Sequence, residues 1–519
     1  MSFQEKLSNP NMAQKEFKEA FISNLSGTTL AENLLGLILS ALCVTCRGLI
    51  LMYFVGPSGV SSWKRLLLID FIMLVASLVL SCTVLSDVLH WVVLVLAAVL
   101  VLSVVQMYNQ KKRNSKQQLK EVIGSFLETS LDMNYIPFVT LFRVFVNIKT
   151  CISILAVDFP IFPRRYAKAE TYGTGIMDFG VAAFVFANAL VSPEARQRTK
   201  NISHSKFSFV IKQIIAVWPL VFLGFARLIS IKAVDYHEHI SEYGLHWNFF
   251  FTLAIVRILS SFLLILCPVR NSWILSASIA IGYQLLLEST NLKQFILHGS
   301  DGKGTRIGFI NANREGLFSL LGYLAVYMAG VQTGVYIMKK RTLVIDWIKV
   351  QGFLLMSFLI LWLLLHVCEA LTEHVSRRMA NLSFVLWTVG QSLFFLMIYM
   401  LADLVLVFVK VISGISNVPS SWNILLDSSQ REKDETLLKN SPSRKVDKTT
   451  THFCLIEAVS RNQLLFFLQS NILTGLVNLT IDTVHSNSFV SLFVILLYMF
   501  CNCFIVYILH INDITLKFW

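Results

Sequence analysis

Residues 88–108 read VLHWVVLVLAAVLVLSVVQMY and contain no Lys, Arg, Asp or Glu. An α-helix needs about 20 consecutive apolar residues to cross the hydrocarbon core of a bilayer. Inside lipid every backbone N–H and C=O group must find a partner within the protein, which a helix provides and an isolated strand does not. The stretch therefore predicts a transmembrane helix, and it decides the class of the fold.

The composition of the whole chain extends this prediction. Of its 519 residues, 55% are hydrophobic and 14% are charged, whereas about 25% of the residues of an average soluble domain are charged. These values exclude an ordinary soluble enzyme and a disordered chain. Nine cysteines in so long a chain are also too few for a disulfide scaffold. We predict an all-α, polytopic integral membrane protein with about 13 transmembrane helices.

The hydrophobic stretches give thirteen candidate spans, whose boundaries are placed to within about four residues. The sequence shows no fixed-period repeat and no pair of similar halves, which does not favour a transporter built from duplicated bundles. The spans are 30–54, 66–84, 88–108, 134–157, 174–191, 207–229, 248–268, 273–290, 315–336, 349–369, 381–409, 457–480 and 487–510.

Lys and Arg collect in the loops that follow spans three, five, nine and eleven. The positive-inside rule keeps such loops in the cytosol, and thirteen spans place all four on one side. The N terminus is then lumenal and the C terminus cytosolic, so glycosylation is expected at Asn24.

The chain divides into a lumenal segment 1–29 with a short amphipathic helix, one helical bundle 30–510 with a cytosolic polar insert 411–455, and a cytosolic tail 511–519. Topology and anionic headgroups explain much of the net charge of +13, so no nucleic acid partner is expected.

One segment does not obey this charge rule. Residues 158–170 read DFPIFPRRYAKAE, and the span count places them on the lumenal side although they include three basic residues. Pro160 and Pro163 cannot continue the preceding helix, so the chain must turn over the membrane face. Such a turn can bring Asp158 and Lys168 together. Two interpretations are open: an interfacial salt bridge with lipid contacts, or a functional site, the usual reason for ionisable groups at membrane depth.

A second polar block, 235–250, reads DYHEHISEYGLHWNFF. His239, Glu242 and His246 are spaced by three and four residues, which could place them on one helical face. Gly244 interrupts this segment, and no second cluster of metal-binding residues follows it. We therefore expect no metal site.

The run 156–173, AVDFPIFPRRYAKAETYG, closely resembles the signature of the glycosylphosphatidylinositol (GPI) inositol acyltransferase family. The block 235–250 and the segment 311–316 with Gly322 and Tyr323 are similar to further blocks of that family. The resemblance covers most of the chain. It implies transfer of a long acyl chain, usually palmitoyl from palmitoyl-CoA, to the inositol 2-hydroxyl of glucosaminyl-phosphatidylinositol in the endoplasmic reticulum membrane. No cofactor is implied, because acyl-CoA is a co-substrate.

The resemblance maps the catalytic aspartate and lysine of the family onto Asp158 and Lys168. The chemistry of these residue types agrees with that mapping. An alcohol needs a base to take its proton during attack, which contributes about 10²–10⁴ in rate, and the developing oxyanion needs a positive group or a hydrogen-bond donor. Asp158 would accept the hydroxyl proton, and Lys168 would orient the hydroxyl or stabilise the oxyanion. His246 is the alternative general base.

Further side chains of the same blocks are expected to contact substrate. Arg164 and Arg165 match the oxygens of a phosphate, either of the inositol lipid or of CoA, and anchoring to lipid headgroups is the alternative. Asn313 and Glu315 are candidates for contact with sugar hydroxyls, or else they begin a helix. The expected substrate-binding residues are Arg164, Arg165, Tyr166, His239, Glu242, His246, Trp247, Asn248, Asn313 and Glu315.

Two other functions are compatible with many spans and intramembrane charges. One is an acyltransferase that acts on another lipid or glycan acceptor, and the other is a polytopic transporter. The product distinguishes an inositol acyltransferase from both alternatives. Acylation of the inositol 2-hydroxyl removes the internal nucleophile that a phosphatidylinositol-specific phospholipase C requires, so the acylated lipid resists that enzyme.

Overall fold

The computed structural model describes residues 25–54, 62–115, 118–196, 206–234, 240–414, 418–425 and 453–516. Within these ranges the chain is helical, and the only β-type pairing is four isolated bridges. Several predictions fall outside the described residues, namely the amphipathic helix before residue 25, the sequon at Asn24, His239, and most of the polar insert.

The helices are numbered in chain order. They are α1 (Leu30–Phe54), α2 (Trp63–Asp70), a π-helix (Phe71–Ala76), α3 (Ser77–Ser81), a 3-10 turn (Ser86–Val88), α4 (Leu89–Ser115), α5 (Leu119–Glu128), α6 (Pro137–Ala156), a 3-10 turn (Arg164–Tyr166), α7 (Ile176–Leu190), α8 (Lys206–Val234), α9 (Ile240–Tyr243), α10 (Phe249–Leu266), a 3-10 turn (Val269–Asn271), α11 (Ser272–Ser289), α12 (Leu292–His298), α13 (Phe309–Ala312), α14 (Arg314–Phe318), α15 (Leu320–Ile337), α16 (Val344–Leu371), α17 (Leu382–Ser413), α18 (Leu455–Arg461), α19 (Gln463–Thr480) and α20 (Ser488–Ile511).

Nine helices in the described part of the chain are long and apolar enough to cross a membrane. The prediction of an all-α polytopic membrane protein is therefore confirmed. The other four predicted spans, 66–84, 174–191, 273–290 and 457–480, fall on helices that are interrupted, short or less apolar. The number thirteen stays a prediction.

Of the nine candidate membrane helices in the described residues, α17 is the most enclosed, and it packs against α1, α6 and α16. The stretch that decides the fold class forms α4 and lies at the periphery of the bundle. Its side chains Leu94, Val95 and Leu102 are exposed on the outside of the bundle. Exposed apolar side chains of this kind are stable in contact with lipid tails, where they need no protein partner.

The two ends of the bundle are built from different loops. At one end the Leu131 N–H donates to the Thr342 carbonyl at 2.7 Å, and Leu131 also forms a bridge with Ile424. This end holds the loop that follows α15, which carries Lys339, Lys340 and Arg341, and residues 418–425 after α17. At the other end the Glu170 N–H donates to the Leu25 carbonyl at 2.9 Å. The turn after α6 therefore lies at the end opposite that basic loop, and the assignment of that end to the lumen stays a prediction.

A glycine allows this second end to pack closely. Gly173 has φ +143°, and a Cβ atom there would lie 2.0 Å from the Ser26 carbonyl oxygen. The Gly173 N–H donates to the Val375 carbonyl at 2.8 Å. Only glycine adopts such a conformation without strain. This contact brings together the start of α1, the turn after α6 and the loop before α17.

Candidate active site

The segment 157–175 leaves the membrane helix in a tight turn. α6 ends at Ala156, and Pro160 and Pro163 prevent it from continuing. The guanidinium of Arg164 donates to the carbonyls of Val157, Phe159 and Phe162 at 2.8, 2.9 and 3.1 Å. Arg164 therefore shapes the turn itself, and a phosphate ligand for it stays a prediction.

The next two residues tie the turn to neighbouring elements. Arg165 forms ion pairs with Glu32 at 3.0 Å and with Asp87 at 2.7 Å. The hydroxyl of Tyr166 donates to the same Glu32 carboxylate at 2.5 Å. Both residues thus hold the turn against the start of α1 and the segment before α4, and the phosphate expected at Arg165 stays a prediction.

Asp158 and Lys168 both line one cavity of about 280 Å³. On α6 the lining residues run from Val146 to Ile154 and continue past the helix end to Asp158. The helical part alone measures about 12 Å at 1.5 Å per residue. The apolar wall of the cavity includes Leu37, Val146, Ile154, Phe179, Val181, Phe184, Phe249, Phe395 and Phe467. Its polar wall includes Asn33, Lys149, Asp158, Tyr166, Lys168, Arg227, Glu242, Asn248, Gln391 and Asn471.

Asp158 is half-buried at this wall. Its Oδ2 atom accepts a hydrogen bond from the side-chain amide of Asn478 at 2.7 Å. Asn478 lies near the end of α19, 320 residues away in sequence. A hydrogen bond to a carboxylate fixes its orientation and is stronger than one between neutral groups.

Lys168 belongs to a series of connected ion pairs that are partly or fully buried. Its Nζ atom lies 2.5 Å from Glu242 Oε2, and Glu242 Oε1 lies 3.5 Å from Nη1 of Arg377. Nε of Arg377 in turn lies 2.7 Å from Asp178 Oδ1. This series of ion pairs returns to the Lys168 segment, because Asp178 Oδ2 accepts the backbone N–H of Ala169, next to Lys168, at 3.0 Å. The side chain of Lys168 and the backbone beside it are thus both held through Arg377.

These charges set the protonation of Lys168 and Glu242. Burial alone would raise the pKa of the Glu242 carboxyl, but Lys168 and Arg377 outweigh burial and lower it to about 2. Burial lowers the pKa of the Lys168 ammonium, Arg377 and Arg227 add to that effect, and Glu242 opposes it. Glu242 is therefore ionised at neutral pH, and Lys168 releases its proton at a lower pH than a free lysine does.

The wall on the other side of Lys168 comes from α8 and the start of α10. Asn248 caps α10 by accepting the N–H groups of Phe250 and Phe251, and its side-chain amide donates to the Gly224 carbonyl at 2.9 Å. The indole N–H of Trp247 donates to the Thr252 hydroxyl at 3.0 Å. The bond from Asn248 to Gly224 holds α8 against the start of α10. Asn248 and Trp247 both line the cavity, and their expected contact with substrate stays a prediction.

The remaining expected substrate contacts lie elsewhere. Glu315 is fully buried and pairs with Arg306 at 2.8 Å and with Arg378 at 2.9 Å. Asn313, also buried, accepts the backbone N–H of His246 at 2.8 Å, and the His246 side chain is exposed. The structure does not bring Asn313, Glu315 or His246 to the cavity wall that Asp158 and Lys168 share. Their predicted roles toward the substrate stay predictions.

The family model described as GWT1 matches residues 14–509. The chain belongs to the GWT1 family. It is 45% identical to the glucosaminyl-phosphatidylinositol-acyltransferase PIGW of Bos taurus, over 98% of this chain and 100% of that protein. It is 44% identical to the protein of the same name from Homo sapiens, with the same coverage. It is 32% identical to the GPI-anchored wall transfer protein 1 of Gibberella zeae, over 93% of this chain and 95% of that protein.

The family assignment and these relatives confirm two predictions. This member of the GWT1 family is an acyltransferase and a multi-pass membrane protein. Among the residues that the structure describes, no group of three or more His, Cys, Asp or Glu side chains could hold a metal ion.

The sequence alone did not single out three residues of the candidate site. Asn478 and Arg227 are polar residues inside predicted spans, and that position is a usable signal for function. Arg377 lies between two spans and carries no such signal. Lys149, a lysine inside the predicted span 134–157, also lines the cavity, where its Nζ atom donates to the Gly36 carbonyl at 2.8 Å.

Proposed function

We propose that this chain transfers a long acyl group from acyl-CoA to the inositol 2-hydroxyl of glucosaminyl-phosphatidylinositol, in the endoplasmic reticulum membrane. The acceptor is the one in the printed name of the mammalian relatives. The signature turn and its position at the end of the bundle opposite the basic loop after α15 support a lumenal site.

One observation carries the proposal: Asp158 and Lys168 line the same cavity. The cavity joins these two polar groups to a wall of Phe, Leu, Ile and Val side chains. A long acyl chain gains about 0.8 kcal/mol for each CH₂ group that it buries against such a wall. A substrate without an apolar chain would leave the apolar wall uncovered, whereas a lipid chain beside a charged end fits both parts of the cavity.

The reaction needs one base and one electrophilic group. In the proposed step Asp158 takes the proton of the 2-hydroxyl while the oxygen attacks the thioester carbonyl carbon. The new C–O bond forms, the C–S bond breaks, and CoA leaves as a thiolate that takes up the proton. Lys168 stabilises the oxyanion of the tetrahedral intermediate, a contribution of roughly 3–4 kcal/mol for a single donor. Asn478 orients the base.

The proposal is tested by acyl transfer in microsomes from cells that lack the endogenous protein. Cells complemented with this chain, supplied with palmitoyl-CoA and glucosaminyl-phosphatidylinositol, should form a lipid that resists phosphatidylinositol-specific phospholipase C. Asp158→Asn and Lys168→Ala should each abolish that product at normal protein levels. A matched control exists in the exposed ion pair of Asp346 and Lys349, where Asp346→Asn and Lys349→Ala should leave the product unchanged.

Three results would contradict parts of the proposal. If cells without this protein still form the resistant lipid, the proposed reaction is wrong. If the complemented cells acylate a different lipid, the acceptor is wrong but the acyl transfer stands. If Asp158→Asn restores full activity, the base is another residue, and His246 becomes the next to replace.

A further inference from the structure

The cavity contains an arginine that neither the reaction step nor the series of ion pairs uses. Arg227 lies on α8 near the end that faces the turn, and it lines the cavity together with Asp158, Lys168 and Glu242. Its Nε atom is buried without a hydrogen-bond partner, and no ion pair among the described residues includes it. An arginine within a membrane span is costly unless something pairs with it.

The packing of α8 holds Arg227 in this place. Gly224, one turn earlier, lies so close to Phe251 that a Cβ atom would be 2.5 Å from the ring. The Gly224 carbonyl also accepts the amide of Asn248. The backbone of α8 is therefore fixed against the start of α10, and the arginine that follows Gly224 by three residues stays on the cavity side.

The charges of the cavity call for an anion. Its charged lining residues are Lys149, Asp158, Lys168, Arg227 and Glu242, three cations and two carboxylates, which leaves one positive charge. The ion-pair contacts of Glu242 are with Lys168 and Arg377, and Arg227 acts on this carboxylate only beyond ion-pair distance. A single negative charge on a substrate would balance the cavity.

We propose that Arg227 binds a phosphate group of a substrate, as a phosphate subsite beside Lys168 and Asp158. The inference rests on the proposed function and deepens it. A planar guanidinium pairs with two phosphate oxygens at once, and both substrates of the proposed reaction carry phosphate. Arg164 and Arg165, the arginines that the sequence suggested for this role, are bonded to backbone carbonyls and to carboxylates instead.

The test measures KM separately for the two substrates in detergent micelles. Arg227→Gln should raise the KM of the substrate whose phosphate it binds by about 10- to 100-fold, the value of lost hydrogen bonds to a charged group, with little change in kcat. Arg227→Lys should give a smaller rise, because it keeps the charge but not the fork. The control is Arg270→Gln, which removes an equal charge from an exposed position and should change neither KM.

The results identify the source of the phosphate. A rise in the KM of glucosaminyl-phosphatidylinositol alone assigns the subsite to the lipid phosphodiester, and a rise in the KM of palmitoyl-CoA alone assigns it to CoA. Unchanged KM values in an active Arg227→Gln protein, or a loss of kcat alone, would overturn the inference. Wild-type protein that transfers no acyl group to this lipid would instead contradict the proposed function. A melting temperature equal to that of the wild type shows that the variant is folded.

Discussion

Arg377→Met removes the guanidinium that joins Asp178 to Glu242. Arg377 is 5% exposed and Asp178 is fully buried, with 2.7 Å between Nε and Oδ1. Methionine has a similar length and no charge, so the substitution leaves the Asp178 carboxylate in the protein interior without its cation.

The expected cost follows from these contacts. Breaking a buried ion pair by removal of one partner costs about 3–5 kcal/mol, because the remaining charge is uncompensated. Asp178 keeps two backbone donors, the N–H groups of Ala169 and Gly175 at 3.0 and 2.9 Å. We therefore expect the lower end of that range, about 3 kcal/mol. The loop that carries Lys168 should loosen at the same time, so kcat should fall.

The assay is unfolding of the detergent-solubilised protein in a double-mutant cycle with Asp178→Asn. The two substitutions remove one interaction, so the double variant should be more stable than the sum of the single effects by about 1–3 kcal/mol. The matched control is Lys349→Met, which breaks an exposed ion pair with Asp346 and should cost about 0–1 kcal/mol. Additive effects in the cycle, or a cost for Arg377→Met no larger than for the control, would refute the reasoning.

Three further predictions concern the site. Asn478→Leu removes the donor that orients the proposed base, so kcat should fall about tenfold or more with both KM values unchanged; a wild-type kcat would contradict this. Glu242→Gln removes the carboxylate that opposes the downward shift of the Lys168 pKa from its ordinary value of 10.5. Because Lys168 acts in its protonated form in the proposed step, the alkaline limb of the pH profile of kcat/KM should move to lower pH, and a move to higher pH would reverse the assigned role. Gly180→Leu places a side chain in the cavity, where a Cβ atom at this position has only Thr150 near it, at 3.7 Å. It should lower the rate with long acyl chains more than with short ones, whereas Gly282→Leu, at an open surface position, should not change the preference.

The sequence predicted the class of this fold because the class depends on local composition. A run such as 88–108 is apolar over a length that only a membrane helix can use, whatever its neighbours are. The prolines of 158–170 likewise predict the end of α6 from their own geometry. Composition does not determine the number of spans, because short and interrupted helices such as Ile176–Leu190 are held by their neighbours.

The candidate site was predicted only in part. The resemblance placed Asp158 and Lys168 together, and both line one cavity. The sequence suggested that these two residues pair with each other, whereas the structure pairs Lys168 with Glu242 and gives Asp158 a hydrogen bond from Asn478. It also suggested phosphate for Arg164, which the structure bonds to the carbonyls of its own turn.

Separation along the chain gives the physical reason. Glu242 is 74 residues from Lys168, Arg377 is 199 residues from Asp178, and Asn478 is 320 residues from Asp158. Hydrophobicity and proline geometry act on adjacent residues, so the sequence by itself determines membrane helices and where one of them must end. Hydrogen bonds and ion pairs act over about 3 Å between helices. Only the packing of the bundle decides which of the few charges in this apolar chain meet, and therefore which of them are left to bind substrate.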